Sequence, residues 1–243
     1  MPEGRLPTAA LIVPALDEEE AIGDMLKKIP PSLFCTVIVA DNGSRDRTAE
    51  IARQSGAVVV EEPRKGYGAA CLRALAAVPG GTTAVVFMQA DCSEEPREAE
   101  RLLAPIAEGR ADLVLGSRFL VRGSYRMGAL RSLGRRLFQA LGRLAGLEVS
   151  DPTSGFQALN RRVLEVYARD FFPTDYPDVD VLLAARRNRL RVGERPVQMR
   201  AGTRASTLHG GLRSVYYVYK MLLSTWTAAR RRWEAPAPEA RRP

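Results

Sequence analysis

With 243 residues and 46% hydrophobic side chains, the chain can form one large α/β domain or two small ones, and its composition excludes a disordered protein. No apolar run is long enough to span a bilayer and no charged-then-apolar leader is seen, so neither a membrane-spanning nor an exported protein is expected. The net charge of +8 is unevenly spread: residues 1–116 carry 12 Lys/Arg against 18 Asp/Glu, residues 117–147 carry seven Arg and no acid, and residues 204–243 carry eight basic and two acidic residues.

In chain order, "AALIVPAL" (9–16) reads as a buried strand, and "DEEEAIGDMLKKI" as a helix with acids in its first turn and lysines in its last. "TVIVAD" (36–41) is a second strand, "NGSRD" a turn, and "RTAEIARQSG" a helix closed by Gly56. "AVVVEE" (57–62) is a third strand, followed by the helix "GYGAACLRALAAV" with its glycine-rich entry. "TAVVFMQAD" (83–91) is a fourth strand, "PREAERLLAPIAEG" a helix, and "ADLVLGSRF" (111–119) a fifth strand. Alternation of this kind specifies a largely parallel sheet with helices on both faces, and ligands of such sheets bind beyond the carboxyl ends of the strands. Asp17, Asp41, Lys65, Asp91 and Arg118 follow those ends and are expected to converge on one crevice.

Beyond residue 120, Leu130, Leu133, Leu137, Phe138, Leu141 and Leu144 recur at helical spacing, rimmed by Arg131, Arg135 and Arg136. "VLEVYARDFF" and "DVDVLLAARRNRL" are further helices, and "RVGERPVQM" contains a short strand. "LRSVYYVYKMLLSTWTAARRRW" (212–233) is an apolar-aromatic helix with a terminal arginine cluster, ahead of a Pro-rich tail (234–243) expected to be disordered. The basic segments suit an anionic partner, whether membrane lipid, phosphorylated acceptor or nucleic acid. A solvated basic face satisfies the charge as well, and no recognised nucleic-acid motif accompanies it. Cys35, Cys71 and Cys92 show no C-x-x-C spacing and read as reduced thiols of a cytosolic protein.

Three short stretches carry candidate chemistry. Asp41 closes a strand, where it could accept a hydrogen bond from a base or ribose or simply cap the next helix. "RKGYGAAC" (64–71) sets two glycines and Lys65 at a helix start, a place that suits phosphate, although it is neither a Walker loop nor a full G-x-G-x-x-G. In "VFMQADCSEEP" (86–96), Asp91 could hold Mg²⁺ or Mn²⁺ on a diphosphate, with the Gln89 amide oxygen as a neutral second ligand or as a partner for a sugar hydroxyl. The plain alternative is that Ser93, Glu94, Glu95 and Pro96 form a good helix start, and both can hold together.

These stretches, with "LIVPALDEEEAI", "DLVLGSRF" and "DPTSGFQALNRRVLE", occur in the order found in family 2 glycosyltransferases. Over roughly residues 8–210 the chain resembles the branch of dolichyl-phosphate mannose synthases and bacterial polyprenyl-phosphate glycosyltransferases. The resemblance implies a GT-A fold over 1–210, Rossmann-like with a mostly parallel central sheet, followed by a C-terminal amphipathic helix (211–233) and the tail. It implies that Pro14, Leu16, Glu18, Asp41, Lys65 and Gly66 bind the nucleotide. It also implies that Gln89 and Asp91 are the two ends of a metal-binding D-x-D, with Ser93 near the metal. Arg118 would lie near the transferring phosphates, Asp151, Ser154, Gly155 and Phe156 near the acceptor, and Asp180 on a helix facing the sugar. Two departures stand out: the first acid of D-x-D is Gln89, and the family's late G-x-S-K loop reads "GTRAST" (202–207), where Arg204 or His209 would replace the lysine.

The implied reaction moves a sugar, with inversion, from a UDP- or GDP-sugar to a polyprenyl phosphate. Arg131 and Arg135, one helical turn apart, would receive the phosphate, and the basic helices would rest on the inner face of the cell membrane. An anionic acceptor needs no general base; a hydroxyl acceptor would, and Asp180 is the first candidate. Transfer to a hydroxyl and a degenerate fold that binds donor or lipid without turnover are the alternatives.

Overall fold

The computed structural model describes residues 6–121, 129–144, 146–168, 173, 177, 179–200, 219, 223 and 227. Its strands are β1 (Ala9–Ala15), β2 (Thr36–Asp41), β3 (Val58–Glu61), β4 (Ala84–Phe87), β5 (Leu113–Ser117), β6 (Gln157–Asn160) and β7 (Val192–Pro196). They form one sheet in the order β3-β2-β1-β4-β6-β5-β7. Every pairing is parallel except the two made by β6, which runs against both β4 and β5. The carboxyl ends of the other six strands therefore share one edge, and the segment entering β6 lies along it. This is the α/β GT-A arrangement. The strand β6, within "GFQALN", has no counterpart in the elements expected from sequence; four residues are too few to show a period.

The helices are α1 (Ile22–Lys27), α2 (Thr48–Gln54), α3 (Tyr67–Leu75), α4 (Ala99–Ala107, after a 3₁₀ turn at Pro96–Glu98), α5 (Ala129–Leu144), α6 (Arg161–Tyr167) and α7 (Val179–Arg187). Alternate strand residues feed two cores. Ala10, Ile12, Val85, Phe87, Leu113 and Leu115 pack with α3, α5, α6 and α7 on one face, while Leu11, Val13, Val86 and Val114 pack with α1, α2 and α4 on the other.

The expected helix 17–29 begins only at Ile22. Asp17 adopts a left-handed φ of 55°, and the Asp17, Glu18 and Glu19 N–H groups donate to Ser44 Oγ, Thr48 Oγ1 and an Asp46 carboxylate oxygen instead of starting a helix. The expected strand 83–91 likewise stops at Phe87. Pro14 has no N–H to offer, the β1–β4 ladder ends at Ile12 and Phe87, and the Gln89 N–H turns to the Glu94 carboxylate at 2.8 Å. Residues 89–91 are thereby released from the sheet at its carboxyl edge.

At the opposite edge, Asp112 is 1% exposed and ties β5, β6 and β7 together. It accepts from the Arg191 N–H and guanidinium, from Asn160 Nδ2 and from Arg162. Burial alone would raise this carboxyl, but the hydrogen bonds from Arg191 and Asn160 and the charge of Arg162 overcome it and hold it at about 2. A depressed carboxyl contributes stability that is present above its unfolded value and lost as pH falls through the folded one. Asp112→Ala is expected to destabilise the protein by roughly 3 kcal/mol in urea unfolding at pH 7, with the gap to the parent closing between about pH 4 and pH 2.

Candidate active site

On the β1–β3 side of the carboxyl edge, two loops are latched together. The Arg45 N–H donates to Asp17 Oδ1 at 2.8 Å, returning the Asp17 N–H bond to Ser44. Asn42, just past β2, donates through Nδ2 to the Glu62 and Arg64 carbonyls at 3.0 and 2.7 Å, and its Oδ1 accepts the Gly66 N–H at 2.9 Å. Asn42 thus fixes the loop that carries Lys65, and Gly66 enters α3 at φ 138°, a conformation that favours glycine. The Gly66 N–H, expected from sequence to face phosphate, is engaged by Asn42. Asp41 is 7% exposed; its Oδ2 accepts the Ser44 N–H, and its buried Oδ1 has no hydrogen-bond partner among the described residues. Ala15 pairs with Asp41 across the sheet, and Leu16, the next residue, is 47% exposed. Pro14 is buried within β1, and Glu18 is half-buried beside α2.

In the centre, Asp91 Oδ1 accepts the Ser93 N–H at 3.0 Å, and the Ser93 carbonyl accepts the Arg200 N–H at 2.8 Å. Cys92 between them has φ 58°. The Gln89 amide donates through Nε2 to Tyr67 Oη at 3.4 Å. Gly155 borders the same amide: a Cβ there would lie 2.6 Å from Gln89 Nε2.

On the β5–β7 side, Arg118 makes a bidentate ion pair with Asp151, at 2.6 Å from Nε and 2.7 Å from a terminal nitrogen. Glu194 of β7 accepts the Ser150 and Asp151 N–H groups at 2.7 and 2.9 Å, which holds that acid in place. Arg118 and Arg135 both lie over the Phe119 ring, 5.5 and 4.3 Å from its centroid. Arg135 also donates to the Ser150 carbonyl, while its Nε is buried without a partner among the described residues.

The D-x-x-S-G-F segment, expected near the acceptor, lies at this edge, but its side chains serve the protein's own framework. Asp151 is fully buried on Arg118, Ser154 Oγ donates to the Gly116 carbonyl at 2.6 Å, and Phe156 packs on Gly116. Asp180 is buried in α7 near Tyr167, whose hydroxyl burial raises well above its usual range, with Asp180 adding to the shift. Arg131 lies in α5, but its side chain, like Arg204, His209, the tail and all of 212–233 except residues 219, 223 and 227, lies outside the described residues.

Glu94, Tyr67, Asn42 and Glu194 have no site role in the reading from sequence. Glu194 left one trace, a lone acid inside a short strand. Glu94 is buried, accepts the Gln89 N–H and pairs as an isolated bridge with Met199. Burial pushes its carboxyl up to about 8; the Gln89 N–H and Arg118 oppose this, while Asp91 and Asp151 add to it. A raised carboxyl makes folding progressively less favourable as pH climbs from its unfolded value, near 4.5, to the folded one, near 8. Metal-free Glu94→Gln, which keeps an acceptor for the Gln89 N–H, is therefore expected to gain roughly 2–4 kcal/mol on the parent between pH 5 and pH 8 in urea unfolding.

Among the described residues, no helix is long and apolar enough to cross a membrane. The profile of the family described as Glycosyl transferase family 2 matches residues 10–168. The chain is 31% identical over 201 residues to the low-salt glycan biosynthesis hexosyltransferase Agl6 of Haloferax volcanii, covering 79% of this chain and 47% of that protein. It is 33% identical over 158 residues to the dolichyl-phosphate hexose transferase of the same organism, covering 64% of this chain and 67% of that one. It thus spans about half the length of Agl6 and two thirds of the second relative. Glucosyl-3-phosphoglycerate synthase from Mycobacterium tuberculosis, solved with Mn²⁺, UDP-glucose and phosphoglyceric acid, superposes with a TM-score of 0.75 at 26% identity, over 94% of this chain and 81% of that one. The order of the strands and the match over residues 10–168 agree: the chain belongs to glycosyl transferase family 2.

Proposed function

We propose that the protein is an inverting, metal-dependent glycosyltransferase that moves a sugar from a nucleotide-diphosphate donor to a lipid-phosphate acceptor at the inner face of the cell membrane. The observation that carries the donor half is the buried Asp41 Oδ1, an acceptor with no partner among the described residues at the carboxyl edge of the sheet. Such an acceptor costs stability unless a donor reaches it, and the N–H groups of a nucleobase are donors of the right kind. Leu16 beside it offers an exposed apolar surface to a flat ring.

The central residues fit a hard divalent cation. Asp91, the Gln89 amide and Ser93 are all oxygen donors, and no described residue hydrogen-bonds Gln89 Oε1. Among the described residues no group of three His, Cys, Asp or Glu side chains could hold a metal, so substrate phosphates would complete the shell. Solved neighbours carry Mn²⁺ or Mg²⁺ together with UDP. The ion would neutralise charge on the leaving diphosphate. Arg118, held by Asp151, and Arg135 place fixed positive charge where an anionic acceptor approaches. An acceptor phosphate attacks as an anion, so the buried Asp180 has no proton to remove.

The lipid half rests on the named relatives, including a UDP-N-acetylglucosamine–dolichyl-phosphate N-acetylglucosaminyltransferase of Methanococcus voltae. Leu120, Val121 and Leu137, exposed beside Arg118 and Arg136, suit a membrane surface. A second reading, a small phosphorylated acceptor, is favoured by the neighbours solved with phosphoglyceric acid and glycerol 3-phosphate.

Transfer from labelled UDP-glucose and GDP-mannose to polyprenyl phosphate, with phosphoglyceric acid in parallel, tests both readings. Product on the lipid alone supports the first, and product on phosphoglyceric acid alone supports the second. Chelator is expected to stop transfer, and Asp91→Ala to lower it by roughly a hundredfold or more; transfer within about threefold of the parent would refute the metal role of Asp91.

A further inference from the structure

Gln89 stands where the family resemblance places an acid, and an amide, unlike a carboxylate, has two chemically opposite ends. Only one of them can bind a cation or accept from a hydroxyl. The structure treats the ends differently. The nitrogen end lies in a slot: Tyr67 Oη is 3.4 Å from Nε2, and the missing side chain of Gly155 makes room for it. A Cβ on Gly155 would sit 2.6 Å from Nε2 and 3.4 Å from Tyr67 Oη. The oxygen end accepts no hydrogen bond from any described residue. The backbone is fixed independently, by the Gln89 N–H on Glu94 at 2.8 Å. Tyr67 is itself anchored, because it opens α3 directly after the Gly66 turn that Asn42 holds.

We propose that Tyr67 and Gly155 are positioning residues that turn the Gln89 amide nitrogen-inward and oxygen-outward, so that residue 89 serves as a neutral oxygen ligand for a divalent cation already bound to a nucleoside diphosphate. The inference rests on the nucleotide-sugar reading of this crevice. With one carboxylate, Asp91, in place of two, the free ion is held weakly and the ion–diphosphate complex is the species recognised. Tyr67 links the loop beside the nucleotide to that ligand, and Gly155 links the segment entering β6 to it.

Calorimetric titration with Mn²⁺·UDP and Mn²⁺·GDP, and with each diphosphate in chelator, tests this on the whole chain for the parent, Tyr67→Phe and Gly155→Ala. Both substitutions are repeated in a Gln89→Ala background. Each is expected to weaken binding of the Mn²⁺ complex by roughly three- to tenfold, the loss of one oriented hydrogen bond, and to leave metal-free diphosphate within about twofold. Both effects should vanish when residue 89 is Ala, since the coupling runs through the amide. Gly155→Ala meets the far end of a flexible side chain, so it bears the test alone if Tyr67→Phe does not fold. Unchanged Mn²⁺·diphosphate affinity in both variants, or equal losses with and without the Gln89 side chain, would overturn the proposal. A parent that binds neither diphosphate with Mn²⁺ would overturn it together with the donor reading; normal parent binding with unmoved variants would overturn it alone.

Discussion

The bidentate ion pair between Arg118 and Asp151 is the contact on which the β5–β7 side of the site depends. It joins the exit of β5 to the segment entering β6, two pieces of chain 33 residues apart. Asp151 is completely buried, and its carboxylate is satisfied by the Arg118 guanidinium and the Arg118 N–H. Glu194 steadies the same loop from β7, and Arg118 and Arg135 share the Phe119 ring, so the cationic wall of the site is built as one unit. Removing Asp151 would free the Arg118 guanidinium from the orientation that the two hydrogen bonds fix.

The β1–β3 side follows a different logic. There the acids just past β1 and the turn just past β2 exchange backbone and side-chain hydrogen bonds, and Asn42 reaches across to the next loop. The loops are ordered by short polar side chains, which leaves Asp41 Oδ1 as the one buried side-chain acceptor on that side with no partner among the described residues. Between the two halves, Glu94 holds the Gln89 backbone and feels both Asp91 and Asp151. An amide at position 89 spares this acidic centre a further negative charge beside a carboxyl that burial already raises.

Much of this was legible in the chain. The alternation of apolar runs and helical stretches specified a parallel sheet, and Asp41, Asp91 and Arg118 could be placed at or after strand ends because each follows a short apolar run. The start of α1 and the end of β4 were not, since each is set by a distant partner: Ser44, Thr48 and Asp46 in one case, Pro14 and Glu94 in the other. The role of the D-x-x-S-G-F segment was also hidden. Its motif indicates where it sits, not that Asp151 and Ser154 face inward onto Arg118 and Gly116.

Hydrophobic period and strand-end polarity are local properties of the chain, and they specify the class of fold and the edge at which the candidate site lies. Long-range packing sets the rest: β6 enters antiparallel, Tyr67 and Gly155 flank Gln89, and Glu94 is buried among acids. Those facts depend on which residues far apart in sequence are brought within a few ångströms, and on the burial that turns an ordinary surface acid into one whose proton is held to about pH 8.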